Sequence, residues 1–142
     1  MAILSARDQD AVRKEFEKLT GPVKLVVFSQ ALTAGDLCRQ NEDLAREVAA
    51  LSDKASVEVL NLSIDRERAE AYGVDQVPAI VVEGAQDYGI RFYGIPSGYE
   101  FSNLVDSMIV ASTGEPALSE RTKTSLAALT EPVEIKVFST PT

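Results

Sequence analysis

The chain has 142 residues, with 22 acids against 14 bases, a formal net charge of −8, no histidine and one cysteine. One domain of this length can bury a substantial core, and its acidic surface repels phosphate backbones, which argues against nucleic acid as a partner. The lack of histidine removes the usual general base and the commonest metal ligand, and a single cysteine excludes an intramolecular disulfide or a cysteine-rich metal site, so neither a metal nor a cofactor is expected. The first ten residues carry no signal-peptide apolar core, and no apolar run is long enough to span a membrane. A soluble, cytoplasmic protein with no membrane partner is expected.

Ser5 to Leu19 reads as a helix with Val12, Phe16 and Leu19 on one stripe, ended by Thr20-Gly21-Pro22. Val23 to Phe28 is a short apolar run rich in β-branched residues, the pattern of a buried central strand. A second helix is expected from about Ala34 to Leu51. Thr33 and Asp36 have the spacing of a capping box at its start. Leu37, Leu44, Val48 and Leu51 share one face with Cys38 and Ala45 beside it, and Asn41-Glu42-Asp43 and Arg46-Glu47 read as solvated. Ser56 to Leu62 is a second strand, and a short helix from Asp65 to Tyr72 is stopped by Gly73. Ala79 to Val82 and Gly89 to Tyr93 are strands joined as a hairpin through Glu83 to Asp87. Phe101, Leu104, Val105, Met108 and Ile109 recur at helical spacing. Thr113 to Pro116 breaks that helix. Another is expected over Ala117 to Leu129, with Leu118, Thr122, Leu126 and Leu129 inward, and a last strand over Val133 to Phe138.

The end of the chain repeats its beginning. Leu19-Thr-Gly-Pro-Val-Lys-Leu-Val-Val-Phe-Ser29 aligns with Leu129-Thr-Glu-Pro-Val-Glu-Ile-Lys-Val-Phe-Ser139, offset by 110 residues (129 − 19), with seven of eleven positions identical. A repeat of this length marks duplication of a domain rather than a solenoid. The second copy stops at Ser-Thr-Pro-Thr142, in the loop that follows the strand. The expectation is a first half of a longer two-unit protein.

Several stretches then carry a family resemblance. Lys-Leu-Val-Val-Phe28, Leu-Ser-Asp-Lys54, Tyr-Gly-Val-Asp-Gln-Val-Pro-Ala79, Gly-Ile-Arg-Phe-Tyr-Gly-Ile-Pro-Ser-Gly-Tyr-Glu-Phe101 and Val-Phe-Ser-Thr-Pro-Thr142 resemble the thioredoxin-fold protein disulfide oxidoreductases. These glutaredoxin-like proteins, known mainly from thermophiles, fuse two thioredoxin-like units in one chain. The N-terminal domain of the alkyl hydroperoxide reductase F protein is similar, more distantly. The resemblance implies an α/β, thioredoxin-like fold: a central mixed sheet flanked by helices. Residues 1–112 would be a first unit, and residues 113–142 a linker, helix and first strand of a truncated second unit. It also implies a cis Val77-Pro78 bond beside the active site, with the backbone of Val77 pairing with bound peptide.

The departure from the family lies at the start of the second helix. Family first units often carry Cys-x-x-Cys there; this chain has Gly35-Asp36-Leu37-Cys38. By the resemblance Cys38 holds the resolving position and Gly35 stands where the nucleophile would be. Asp36 and the apolar surroundings of Cys38 both oppose a reactive thiolate. The expected function is that of the N-terminal unit of a protein disulfide oxidoreductase. Its working Cys-x-x-Cys would lie in the second unit, and its partners would be protein thiols and disulfides or a thioredoxin-reductase-like donor. The alternatives are a non-catalytic scaffold or docking module and, as an outsider, a monothiol enzyme using Cys38.

Overall fold

The structure, a computed structural model, describes residues 2–140, the side chain of Thr33 apart. Its elements are α1 (Ala6–Phe16), β1 (Val23–Ser29), α2 (Ala31–Ala49), β2 (Ala55–Asn61), α3 (Arg66–Tyr72), β3 (Ala79–Glu83), β4 (Ile90–Tyr93), α4 (Tyr99–Thr113) and α5 (Glu120–Ala127). Four strands form one sheet in the order β2-β1-β3-β4. β1 runs parallel to β2 and antiparallel to β3, which is antiparallel to β4. The fold is α/β with a mixed sheet, as the resemblance implied.

β1 is the axis of the molecule. Successive side chains of a strand point to opposite faces, and both faces here are covered. Val23, Leu25 and Val27 join Val12 and Phe16 of α1, Leu44 and Val48 of α2, and Leu104 and Met108 of α4 in one core cluster. Val26 and Phe28 join Leu60, Val81, Ala69 of α3 and Val74 in the other. Leu25 to Phe28 are fully buried, so the whole run is apolar rather than alternating.

Two close approaches seat α4. A Cβ on Gly84, just after β3, would lie 1.8 Å from the carbonyl oxygen of Ala111, so only glycine lets strand and helix meet. The Ser112 hydroxyl donates to the Gly21 carbonyl at 2.6 Å and accepts from the Thr20 and Gly21 amides at 3.1 and 3.0 Å. α4 thereby holds the turn that launches β1.

Beside the second cluster, the α3 face is closed by charge. Lys24 bridges Glu58 and Glu83 at 3.1 and 3.0 Å, Arg68 pairs with Glu58, and Tyr72 donates to Glu83. The guanidinium groups of Arg68 and Arg91 lie 6.0 and 5.6 Å from the centre of the Tyr72 ring.

Four expectations need correction. Residues 133–138 form no strand: their apolar side chains are exposed, Phe138 to 91%, because no described strand lies beside them to take their hydrogen bonds. α5 is shorter than expected and buries nothing, so Leu118, Thr122, Leu126 and Leu129 do not point into a core. On α2, Leu37 is 52% exposed rather than inward. Asn41, expected in solvent, is fully buried one turn beyond Cys38. The expected capping box rests on the Thr33 side chain, which lies outside the described residues. The helix starts at Ala31 and breaks at Ala34 (φ −149°, ψ 40°) before running on regularly.

The charged network sets an acid sensitivity. Arg68, and after it Lys24, hold the Glu58 carboxyl at about 2, below its ordinary 4.5. A carboxyl depressed on folding adds stability above its unfolded value, and that stability is lost as pH falls through the folded one. The denaturant midpoint is therefore expected to fall between pH 4.5 and about 2, and to fall less steeply in Glu58→Gln. An identical slope in wild type and variant, measured by urea titration at stepped pH, would refute that assignment.

Candidate functional site

The site is built where β1 ends. Phe28 stands opposite Ala79 in the antiparallel register, which brings Pro78 beside the residue that leaves β1, Ser29. The Val77-Pro78 peptide is cis. Pro78 is buried, and its carbonyl accepts from the Gly94 amide at 2.9 Å, which ties it to the end of β4. The chain then passes through Gln30 into α2. Gln30 donates through its side chain to Ser63 at 2.8 Å and through its amide to the Cys38 sulfur at 3.5 Å. Ser63 sits in the β2–α3 loop, which Asn61 and Asp65 shape. The Asn61 side chain accepts from the amides of Ser63 and Ile64, and the Asn61 backbone N–H donates to the Asp65 carboxylate at 2.7 Å. One end of the sheet thus gathers the start of α2, the β2–α3 loop and the cis-proline.

Cys38 is 1% exposed and free. Its sulfur receives a backbone N–H, an arrangement that suits a packed thiol. Gly35, one turn earlier, is half-buried, and a Cβ added there meets nothing within 4 Å. The backbone at residue 35 accommodates a side chain without displacing a neighbour. Asp36 and Asp75 are both exposed to solvent. The structure therefore sets Gly35 and Cys38 on consecutive turns of α2, at the same end of the sheet as Val77 and Pro78.

Three features of this end were not expected from the sequence. Leu32 and Ile64 are almost wholly exposed, at 96% and 82%, on the two segments that the Gln30–Ser63 hydrogen bond joins. Single leucine and isoleucine residues in short polar stretches carry no periodicity, so no pattern marks them. The third is Asn41, whose side-chain nitrogen and oxygen both lack a hydrogen-bond partner among the described residues. Among the described residues no group of three His, Cys, Asp or Glu side chains is placed to hold a metal ion, and no helix is long and apolar enough to cross a membrane.

Burial decides how Cys38 reacts, since a thiol needs access as well as thiolate character. Native Cys38 is expected to modify with Ellman's reagent at least about a hundredfold more slowly than in denaturant. Comparable rates in the two states would show that the thiol is open. Asn41 is expected to cost stability, because a buried amide without partners forfeits its hydration, at about 1–3 kcal/mol. Asn41→Leu should therefore raise the urea midpoint, and a lowered midpoint would mean that the amide is satisfied in solution.

No family model matches the chain. A protein described as a probable thioredoxin from Methanothermobacter thermautotrophicus is 42% identical over 57 residues, which are 39% of this chain and 62% of that protein. Among solved structures, the N-terminal domain of the alkyl hydroperoxide reductase AhpF from Enterococcus faecalis superposes with a TM-score of 0.80 at 24% identity, over 89% of this chain and 61% of that one. A protein disulfide oxidoreductase from Aeropyrum pernix superposes with a TM-score of 0.74 at 22% identity, over 91% of this chain and 56% of that one. The chain thus spans about three fifths of the length of each of these three proteins. The strand order, the cis-proline at the head of β3 and these neighbours together make this a thioredoxin-fold protein.

Proposed function

We propose that this chain is the first, catalytically degenerate unit of a two-unit protein disulfide oxidoreductase acting in the cytoplasm, with the working Cys-x-x-Cys in a second unit that follows residue 142. The observation that carries the reading is Gly35. The framework of a dithiol site stands around it: a helix start at the end of β1, a cysteine one turn on, and a cis-proline beside them. The nucleophile alone is missing.

The chemistry explains why that loss is decisive. In thiol–disulfide exchange an exposed thiolate attacks one sulfur of a substrate disulfide and expels the other as a thiolate, forming a mixed disulfide. A second thiolate of the enzyme then attacks the enzyme's first sulfur, releases the reduced substrate and leaves an intramolecular disulfide. Cys38 stands at the resolving position, and Gly35 has no sulfur to open the sequence. Burial of Cys38 also counts against the monothiol reading. Two electrons for each turnover would enter the second unit from a thioredoxin-reductase-like donor or from protein thiols.

A second reading, a docking module that binds a polypeptide without chemistry, is favoured by the apolar surface of Leu32 and Ile64 at the same end as Pro78. In that reading Val77 and Pro78 keep their contact with substrate while the second unit reacts.

The 142-residue chain is expected not to reduce insulin with dithiothreitol as donor, and Cys38→Ser should leave that result unchanged. Gly35→Cys should create insulin reductase activity, because a Cβ added there meets nothing within 4 Å and residue 35 lies one turn from Cys38. In the natural gene product, a Cys-x-x-Cys is expected within a few residues after Thr142, and serine at both of those cysteines should abolish turnover. Continuation without a cysteine pair would overturn the redox assignment. Insulin reduction by the unaltered chain that Cys38→Ser removes would establish the monothiol mechanism instead.

A further inference from the structure

The helices that cover the first core cluster leave a groove of about 350 Å³ between α1 and α4. Its floor is apolar, made by Ala11 and Val12 of α1 and by Phe101 and Val105 of α4. Its rim is acidic, with Asp8 and Glu15 on one wall and Asp106 on the other, and no lysine or arginine lines it. The groove shares no residue with the end of the sheet that holds Gly35, Cys38 and Pro78.

The floor and the rim select different things. Apolar surface draws apolar side chains out of water. The carboxylates draw cations, and a net charge of −8 on the whole chain adds to that attraction. Glu15 is paired with Lys18, and Asp8 accepts from the Ser5 hydroxyl at 2.6 Å. The exposed Asp106 carboxylate has no hydrogen-bond or ion-pair partner among the described residues. A partner that carries apolar and basic side chains together meets both demands. Both walls are helices whose backbone groups are bonded within the helix, so a strand cannot be added to them by hydrogen bonding. The α1 wall uses residues 8, 11, 12 and 15, two turns or about 10 Å. A third helix laid along it presents its own residues at i, i+3 or i+4, and i+7 over the same length.

We propose that the groove between α1 and α4 docks a basic amphipathic helix of another protein. Apolar side chains from successive turns of that helix fill the space over Val12, Phe101 and Val105. Lysine or arginine side chains on its flanks meet Asp106 on one wall and Asp8 and Glu15 on the other. The same carboxylates repel an acidic helix, so the rim sets specificity as well as attraction. No cysteine takes part, and the docking stands apart from the redox assignment.

The test titrates the 142-residue chain into a fluorescently labelled peptide and follows anisotropy. The peptide is an amphipathic helix of about four turns with leucine on one face and lysine on its flanks. Its twin has glutamate for every lysine. The lysine peptide should bind one saturable site and shift the amide resonances of α1 and α4. The twin should bind at least about tenfold more weakly. Asp106→Lys, and Ala11→Arg in the groove itself, should each weaken the lysine peptide at least about tenfold. Both residues are exposed, so the core is kept, and an unchanged urea midpoint checks it. Glu67→Lys makes the same charge change on α3, across the sheet, and should leave the affinity within about twofold. The proposal is overturned if the lysine peptide does not saturate or if the twin binds as tightly. It is also overturned if Glu67→Lys weakens binding as much as Asp106→Lys, since the attraction is then diffuse. Self-association of the chain that Ala11→Arg abolishes would make a second copy the occupant and overturn it too. So would a natural gene product that fails to bind a peptide which this chain binds, because the groove is then covered from within.

Discussion

Everything in this fold hangs on the burial of one six-residue run on two faces at once. Val23 to Phe28 lies between β2 and β3, so its backbone hydrogen bonds are taken on both sides. Its side chains then need two covers, three helices on one face and α3 on the other. The cost of ordering the chain is met mainly by such buried apolar area. The most buried element is thus also the one whose ends are fixed most tightly. Ser112 clamps the turn before it, and Lys54 donates to the Leu19 carbonyl at 2.6 Å near the same turn. At the other end, the site begins at the first residues beyond the ladder. Its geometry inherits the rigidity of the strand.

That arrangement sets how much each residue at this end of the sheet matters to the fold. Gly35 lies outside both core clusters and adds no apolar area, so a side chain there contributes little to stability. Cys38 is part of the packing and Pro78 is part of the strand entry. Substitution at residue 35 has almost no structural cost, whereas substitution at the other two disturbs the fold. Cys38 and Pro78 are both buried, so packing alone accounts for their presence. Their presence therefore says less about activity than the identity of residue 35.

Much of this is legible in the amino-acid pattern because the pattern and the physics share a period. The apolar run of β1, the stripe of α4 and the glycine that stops α3 match their elements within one or two residues. α2 is harder to read. Its buried side is centred on Cys38, Asn41, Ala45 and Val48, spaced at three to four residues like any core-facing stripe. One member is polar and is followed by two acids, so it reads as solvent-facing. Leu37 is apolar and one position off the stripe, so it reads as core. Hydrophobicity marks the direction of a helix face only when each buried position is apolar. The rim residues Leu32 and Ile64 lie where elements begin and end, where no period exists to be read.

The C-terminal segment shows the same dependence on context from the other side. Val-Phe-Ser occurs at 27–29 and again at 137–139. In β1 it lies in a ladder with its first two residues fully buried, and at 137–139 it is exposed and outside any ladder. Intrinsic preference is therefore not what makes a strand, since the preference is nearly equal in the two places. Neighbouring backbone to accept hydrogen bonds and apolar surface to receive alternate side chains decide it. α5 follows the same rule. Its leucines recur at helical spacing, its N-terminus is capped by Ser119, which accepts from the Thr122 amide at 3.2 Å, and it is helical yet buries nothing. Local signals suffice for that helix to form. Only a surface of complementary shape and charge can turn its apolar side, and the segment after it, into a core.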